Sequence, residues 1–449
     1  MRIRIIGGGL AGPEAALIAA RAGLEVELWE MRAIVDGKPR LTPAHQTTEF
    51  GELVCSNSLK SESPNTAPWL LKQEMRRAGS PLLAFADASA VPAGHALAVD
   101  RVQFSALINN AIEAEPRITV RRQELTELIP PTSPSDPQLT LLATGPLTSD
   151  PLSRSLAQLT GSEHLAFYDS ISPIVEADSI NMERVYFAAR WDKGSPDYIN
   201  CPMNREEYER FLAALISAEA AEEKQWEKLD YFEGCLPIEV LARRGADTLR
   251  FGPMKPVGLR DPRTGKTPYA VVQLRKENIR ADSYNLVGFQ NHLKFGAQAH
   301  VLRLIPGLEN AKFLRYGQIH RNTYLCAPAV LDDSLRLKDH PWLMVAGQLS
   351  GVEGYTESIA TGLLAGLYAA QIARGIAPAT APRGSALGSL VHAITRADIK
   401  HFQPTNITFD LIQPLDDETR KKIRDKKERH RLQCERALAA FDQWWMGTF

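Results

Sequence analysis

The chain has 449 residues, of which 44% are hydrophobic and 23% charged, with a formal net charge of −1. That is the composition of an ordinary soluble globular protein, long enough for two or three cores, and no apolar run approaches the length that crosses a bilayer. The five cysteines (Cys55, Cys201, Cys235, Cys326 and Cys434) are scattered, odd in number and without paired spacing. This argues against a disulfide framework or a metal site, so a cytoplasmic protein with no membrane and no metal is expected.

Arg2–Ile6 predicts a short strand, with no signal-peptide core before the glycines. Gly7-Gly8-Gly9-Leu10-Ala11-Gly12 follows and opens an Ala-rich helix over Leu10–Ala22, stopped by Gly23. Glu25–Trp29 alternates as a second strand with Glu30 at its end. Strand, glycine turn, helix, strand and terminal acid is the order of a dinucleotide-binding βαβ unit. Gly7 is expected to make the tight turn, Gly9 to admit the pyrophosphate, and Gly12 to let helix and strand pack closely. The helix N-terminus at Leu10 and Ala11 meets phosphate, and Glu30 is expected to accept from ribose hydroxyls.

A long loop is predicted from Ala33 to Pro68; it contains Glu52-Leu53-Val54-Cys55-Ser56-Asn57-Ser58-Leu59. Helices are predicted over Trp69–Ala78 and Arg101–Ala114. A strand at Leu139–Ala143 leads into Thr144-Gly145-Pro146, and Ser149 or Asp150 is placed to cap a helix ending at Gly161. The pattern then changes to strands at Tyr186–Ala189, Ala270–Leu274 and Tyr284–Val287, with one helix, Arg205–Ala218, capped by Asn204. A Rossmann-like pattern returns with a strand at Trp342–Ala346, Gly347 and a helix from Glu357 to about Ala373. Pro378–Arg383 reads as a linker, and Asp416–Trp445 as one long charged helix with Ile423, Cys434, Leu438 and Phe441 on a shared face.

The predicted fold is α/β. A two-segment, glutathione-reductase-like FAD-binding domain (residues 1–161 and 326–376) carries an inserted α+β domain (162–325), then a linker and helical tail (377–449). FAD is favoured over NAD by two resemblances to two-segment FAD proteins. Leu141–Gly145 resembles their strand-to-turn element, which places Thr144 and Gly145 at the cofactor. Val345-Ala346-Gly347-Gln348 resembles their second FAD contact, with Gln348 where those proteins carry an acid.

Charge is uneven along the chain. Cys235–Leu325 holds fifteen Lys or Arg against six Asp or Glu, either a polyanion-binding face or a solvated Arg-rich surface. Arg420–Arg431 carries eight basic residues against two acids and reads as a solvated helix face or an additional polyanion clamp.

Gly7–Ala16, Glu52–Leu59, Val91–Arg101, Asn200–Met203, Phe232–Val240, Phe251–Gly258 and Gly347–Gly366 together resemble one family. It is the bacterial folate- and FAD-dependent tRNA (uracil-5-)-methyltransferases of the TrmFO type. Leu53–Ser58 and Glu233-Gly234-Cys235-Leu236-Pro237 are the most specific segments, whereas Gly347-Gln348…Gly354-Tyr355 is shared with the relative that modifies the wobble uridine. The resemblance implies that 5,10-methylenetetrahydrofolate donates a carbon unit, through FAD reduced by NADH or NADPH, to C5 of the T-loop uridine (position 54) of tRNA. It also implies that Cys235 adds to C6 of the uracil and that Cys55 works on the flavin side. A thiolate suits the first task because it is soft and partly ionised near neutral pH.

A cysteine is by default a small buried apolar residue; that reading is applied to Cys326 and Cys434, and Cys201 receives no role. Arg243 and Arg244 follow Cys235 closely enough to favour its thiolate. With Lys294, Arg315 and Arg321, and the nearby His292 and His320, they are the candidate RNA contacts. Three function classes stay open: the tRNA methyltransferase, a related flavin-dependent RNA-modifying enzyme acting on rRNA or the wobble uridine, and a non-catalytic RNA-binding flavoprotein.

Overall fold

The structure is a computed structural model. It describes all residues except 43, 162–164, 171, 194, 221–235, 318 and 449; at 165–170 and 319–322 it describes the backbone alone. The first core is built on a five-stranded parallel sheet in the order Leu343–Val345, Leu139–Leu142, Arg2–Ile6, Glu25–Trp29, Ile118–Arg121. Ile3, Ile5, Leu28, Leu141 and Val345 are fully buried, and each contributes about 1.5–3 kcal/mol of transfer free energy. The late strand Leu343–Val345 completes this sheet across some two hundred residues of intervening chain. The expected two-segment Rossmann architecture with an α+β insertion and a helical tail is therefore the fold observed.

Helix Ala11–Arg21 and helix Tyr355–Ala373 cross in backbone contact. A Cβ on Gly362 would lie 2.4 Å from the Ala11 carbonyl, and one on Gly366 2.9 Å from Ile18. The close approach brings the N-termini of both helices to the same edge of the sheet, which is where the site lies.

The second core is a six-stranded sheet in the order Tyr186–Phe187, Ile199–Met203, Ala270–Lys276, Ser283–Leu286, Ile174–Glu176, Phe313–Arg315, with antiparallel neighbours. Helix Arg205–Ser217 packs Tyr208, Phe211 and Leu215 against it and starts in a capping box between Asn204 and Glu207. The chain enters along Leu165–Ser170 and leaves along Ile319–Tyr324, two strands paired antiparallel.

Several expectations are corrected. The loop expected over Ala33–Pro68 contains a hairpin, Ala33–Val35 with Lys38–Arg40, and the strand Ser58–Ser61. Ser149 holds the N-cap position of helix Asp150–Thr160 but makes no side-chain cap bond. Helix Ala386–Thr395 lies beyond the expected linker, with Ser385 capping it. The tail is two helices, Asp417–Lys422 and Lys426–Thr448. Cys434 and Phe441 are buried in the first core as the shared face requires, but Ile423 sits in the break.

Candidate functional site

The edge where the two helices meet the sheet opens into a cleft enclosing about 1010 Å³, open solvent included. Gly7, Gly9, Leu10, Ala11, Glu30, Thr144, Gly145, Gly347 and Gln348 all line it. Positions drawn from four separate stretches of chain thus come together at one surface. Gly12 is not on the lining. A Cβ there would sit 1.9 Å from the Gly7 carbonyl, so its task is to let the helix start against the turn. Gly7 adopts φ +113°, and a Cβ on it would meet the Ala143 carbonyl at 2.3 Å. Gly9 is different: a Cβ there meets nothing within 4 Å, so its missing side chain faces open space. Helix Ala11–Arg21 begins at Leu10 without a side-chain cap. Its first N–H groups and the positive end of its dipole are thus directed to the cleft, a ready anion site.

Glu30 is 5% exposed on the cleft wall. Its carboxylate accepts from Gly8 N (2.8 Å) and from Arg32 through the backbone N (2.8 Å), Nε (3.0 Å) and Nη2 (3.1 Å). Burial pushes this carboxyl up, but the Arg32 hydrogen bonds and charge, with Gly8 N, outweigh burial and hold it below the ordinary glutamate range. Arg32, 2% exposed, also reaches Glu52 at 3.3 Å. Glu52 in turn caps the Gln46 and Thr47 amides at 2.8 and 3.1 Å.

The first part of the Cys55 loop is anchored on two sides. The Cys55 amide donates to Tyr355 Oη at 2.7 Å, and Tyr355 lines the cleft. Burial, then the nearby Cys55, raises the Tyr355 phenol far above its ordinary range, so it stays protonated. On the other side Arg101 donates to the Leu53 carbonyl, to the Cys55 carbonyl at 3.0 Å, and to Glu277 of the second core. Burial would lower the Arg101 guanidinium's pKa, but Glu277, Tyr355 and Cys55 together raise it. Asn57 is fully buried and donates to Val99 O (3.0 Å) and Lys276 O (2.9 Å), tying the same loop to the inserted sheet. Farther along, Lys60 Nζ pairs with Glu357 Oε1 at 2.7 Å, and Thr356 donates to the Leu59 carbonyl at 3.1 Å. The loop is stitched to the first turn of helix Tyr355–Ala373. Cys55 itself is partly buried.

Cys235 lies outside the described residues, as does the Arg321 side chain. The described flanks of the Cys235 stretch both attach to one segment. Ala220 bridges Leu293, and Ile238 N donates to Gln290 O at 2.7 Å. His292 pairs with Glu239 at 3.1 Å through Nδ1. Arg243 ends helix Ile238–Arg243 and is exposed with Arg244, while exposed Lys294 pairs with Glu219 at 2.9 Å. Arg315 is turned inward; it donates to Ala44 O at 3.0 Å and shares a groove between the cores with Arg101, Glu277, Asp100 and Gln46. Cys201 and Cys434 are buried, with thiols pushed well above their ordinary range by burial.

Sequence reasoning missed Arg32, Arg101, Asn57 and Lys60 as site residues, and gave Tyr355 only as part of a shared motif. Arg101 stands at the end of the Val91–Arg101 resemblance, the one signal that singled out its neighbourhood. Among the described residues no group of three or more His, Cys, Asp or Glu is placed to hold a metal, and no helix is long and apolar enough to cross a membrane.

The family model for glucose inhibited division protein A (GidA) matches residues 2–377. The methylenetetrahydrofolate–tRNA-(uracil-5-)-methyltransferase TrmFO of Koribacter versatilis is 65% identical, covering 99% of this chain and 98% of its own. Those of Solibacter usitatus and Anoxybacillus flavithermus are 56% and 52% identical, each alignment covering 98% of both chains. Among solved structures, Aquifex aeolicus GidA superposes with a TM-score of 0.69 at 17% identity, covering 99% of this chain and 73% of that one, which establishes the common fold. By these matches the chain belongs to the GidA family and, within it, to the TrmFO methylenetetrahydrofolate–tRNA-(uracil-5-)-methyltransferases.

Proposed function

We propose that this protein methylates C5 of the T-loop uridine, position 54, of tRNA, taking the carbon from 5,10-methylenetetrahydrofolate, in a reducing cytoplasm. The observation that carries this reading is the position of the Cys55 loop. One hydrogen bond joins it to Tyr355 on the cleft wall, and Arg101 and Asn57 join it to the inserted domain. A thiol there can serve a cofactor in the cleft and a substrate held by the second core.

The cleft fits FAD on three grounds: open space at Gly9, an uncapped helix N-terminus beside it, and a buried acid at the end of the second strand. Leu10 and Ala11 would hold the pyrophosphate, and Glu30 a ribose hydroxyl while keeping its bonds to Gly8 and Arg32. Thr144, Gly145, Gly347 and Gln348 would line the remainder. When bound and reduced by NADH or NADPH, FAD supplies the relay of the one-carbon unit and the reducing equivalents that bring it to a methyl group.

The protein's own residues supply the rest. Uracil C5 is a poor nucleophile. The Cys235 thiolate adds to C6, and the electron pair of the C5–C6 double bond becomes an enolate that makes C5 reactive. After C5 has gained its carbon, loss of the C5 proton drives the electron pair back and expels the thiolate. Cys55 acts on the cleft side, with Arg101 and Tyr355 fixing its backbone. Arg243, Arg244, Lys294 and Arg321 contribute positive charge toward the RNA, and Arg315 adds its charge from inside the groove between the cores.

The test uses tRNA carrying 5-fluorouridine, in which fluorine blocks the last proton loss. Wild-type enzyme is expected to form a covalent adduct; Cys235→Ala is expected to form none while keeping FAD and tRNA binding. An adduct with Cys235→Ala but not with Cys55→Ala would exchange the two roles. Modification of rRNA or of a wobble uridine instead of the T-loop would assign the chain to the alternative substrate class.

A further inference from the structure

Three aromatic rings outside the cleft stand in a stacked run. Phe313 faces Tyr316 with centroids 5.2 Å apart, and Tyr316 faces Phe295 at 5.4 Å, both pairs inclined by 26°. The inner end is fixed: Phe313 packs on the second core, with the Arg303 guanidinium 5.9 Å from its ring centroid. The outer end is open. Phe295 is 54% exposed. A ring that ends a stacked run and is half open to solvent leaves apolar area that a planar ligand can still bury.

The surroundings are basic. From Gly288 to Arg321 the chain carries Lys294, Arg303, Lys312, Arg315 and Arg321 against Glu309; Glu219 and Glu176 pair with Lys294 and Lys312 at 2.9 and 3.1 Å, so five cations face three acids and the patch stays net positive. The run is also placed next to the Cys55 loop and the described flanks of the Cys235 stretch. Phe295 lies two residues past Leu293 at the end of Gln290–Leu293, to which the described flanks of the Cys235 stretch attach. Leu314 and Arg315 line the groove shared with Arg101, the residue that holds the Cys55 carbonyl.

We infer that Phe295, Tyr316 and Phe313 form a stacking platform on which an unpaired nucleobase of the RNA substrate extends the run at the open face of Phe295. The inference rests on the RNA-substrate reading and gives it a contact that charge alone does not supply. Every base has a π-face, so such a platform grips a splayed loop without reading its sequence, while the flanking cations meet the phosphates. Complementarity of charge selects RNA over an acidic-poor protein surface or a second copy of this chain, whose same patch would be equally basic.

The test titrates fluorescently labelled, unmodified tRNA with FAD-loaded enzyme over a range of salt concentrations. Phe295→Ala is expected to weaken binding by about ten-fold at every salt concentration, the loss typical of one stacked base. The slope of affinity against salt should not change, because no phosphate contact is lost. Phe295→Trp should bind as wild type does, and flavin content and melting temperature should be the same in all three. Phe295→Ala binding within about two-fold of wild type would overturn the platform, the expected loss being several-fold larger. So would a loss confined to low salt, or unchanged affinity with a shift from dimer to monomer in sedimentation. The affinity ratio is read without turnover. Wild-type enzyme that binds tRNA but leaves it unmethylated would therefore remove the function reading, while the ratio still decides the platform.

Discussion

Replacing Arg101 by Met tests whether the buried clamp serves folding, positioning or both. Arg101 is 18% exposed and its partner Glu277 5%. Its guanidinium also satisfies the carbonyls of Leu53 and Cys55. Removing it leaves a carboxylate buried without its cation, a loss of about 3–5 kcal/mol. Arg101→Met with Glu277→Met removes that stranded charge. Only the two carbonyls then lack their donor, at about 1–3 kcal/mol each if they stay buried. The double variant should therefore be more stable than the single, with a coupling of about 2 kcal/mol or more in a double-mutant cycle. Activity should not follow stability. Neither variant holds the Cys55 carbonyl, which leaves the Cys55 backbone anchored through its amide to Tyr355, and a displacement near 1 Å costs about a hundred-fold in turnover. Urea unfolding with flavin content, beside 5-methyluridine formation, reads both quantities. A double variant with wild-type turnover would refute the positioning role, and equal stability of single and double would refute the buried-charge account.

Gly9→Val should fold with a normal melting temperature yet bind no FAD, because its side chain enters open space that the pyrophosphate needs; Gly12→Val should lose folded protein, since its Cβ collides with the Gly7 carbonyl. Flavin absorbance and thermal melts separate the two, and FAD bound by Gly9→Val would remove the glycine turn from the site. Glu74, fully buried, accepts from Ala386 N and Leu387 N at 2.7 and 2.8 Å, and burial raises its carboxyl to about 8. The folded state thus binds the proton more tightly than the unfolded chain, so this stability is full below about pH 4.5 and is lost as pH rises to about 8. Glu74→Gln should flatten the fall in melting temperature between those values, and an unchanged profile would contradict the assignment. Neutralising Arg243 and Arg244 should make tRNA affinity less dependent on salt while flavin content stays constant; a wild-type slope would take this pair off the RNA face.

The dinucleotide unit was legible because its signals are local. The glycines, the helix stop at Gly23 and the acid after Trp29 all lie within thirty residues, and each has a steric or dipolar reason. Helix Arg101–Ala114 was legible for the same reason, with Asp100 accepting from Val102 and Gln103 at its start. The clamp was not, because Arg101 and Glu277 are far apart in the chain and each reads alone as a surface charge. Arg32 was hidden likewise: an arginine three residues past a strand looks solvated until Glu30 is seen buried beside it. The tail misled through propensity, which is good throughout. Asp425 breaks it by accepting from Lys427 N at 3.0 Å and starting a second helix, a competition between side chain and backbone that periodicity does not register. Arg315 was expected on the surface by its charge, and only the register of its edge strand with Ile174 turns it into the groove.

Nucleoside mass spectrometry decides whether Cys235, acting on the uracil, and Cys55, acting on the flavin side, serve one methyl transfer. Unmodified tRNA is incubated with the FAD-loaded enzyme, methylenetetrahydrofolate labelled in its one-carbon unit, and NADH or NADPH. Labelled 5-methyluridine at position 54 is expected with wild-type enzyme and none with Cys55→Ala or Cys235→Ala, although both variants retain flavin and bind tRNA. Labelled 5-methyluridine from either alanine variant at the wild-type rate, or none from wild type with every component present, would contradict it.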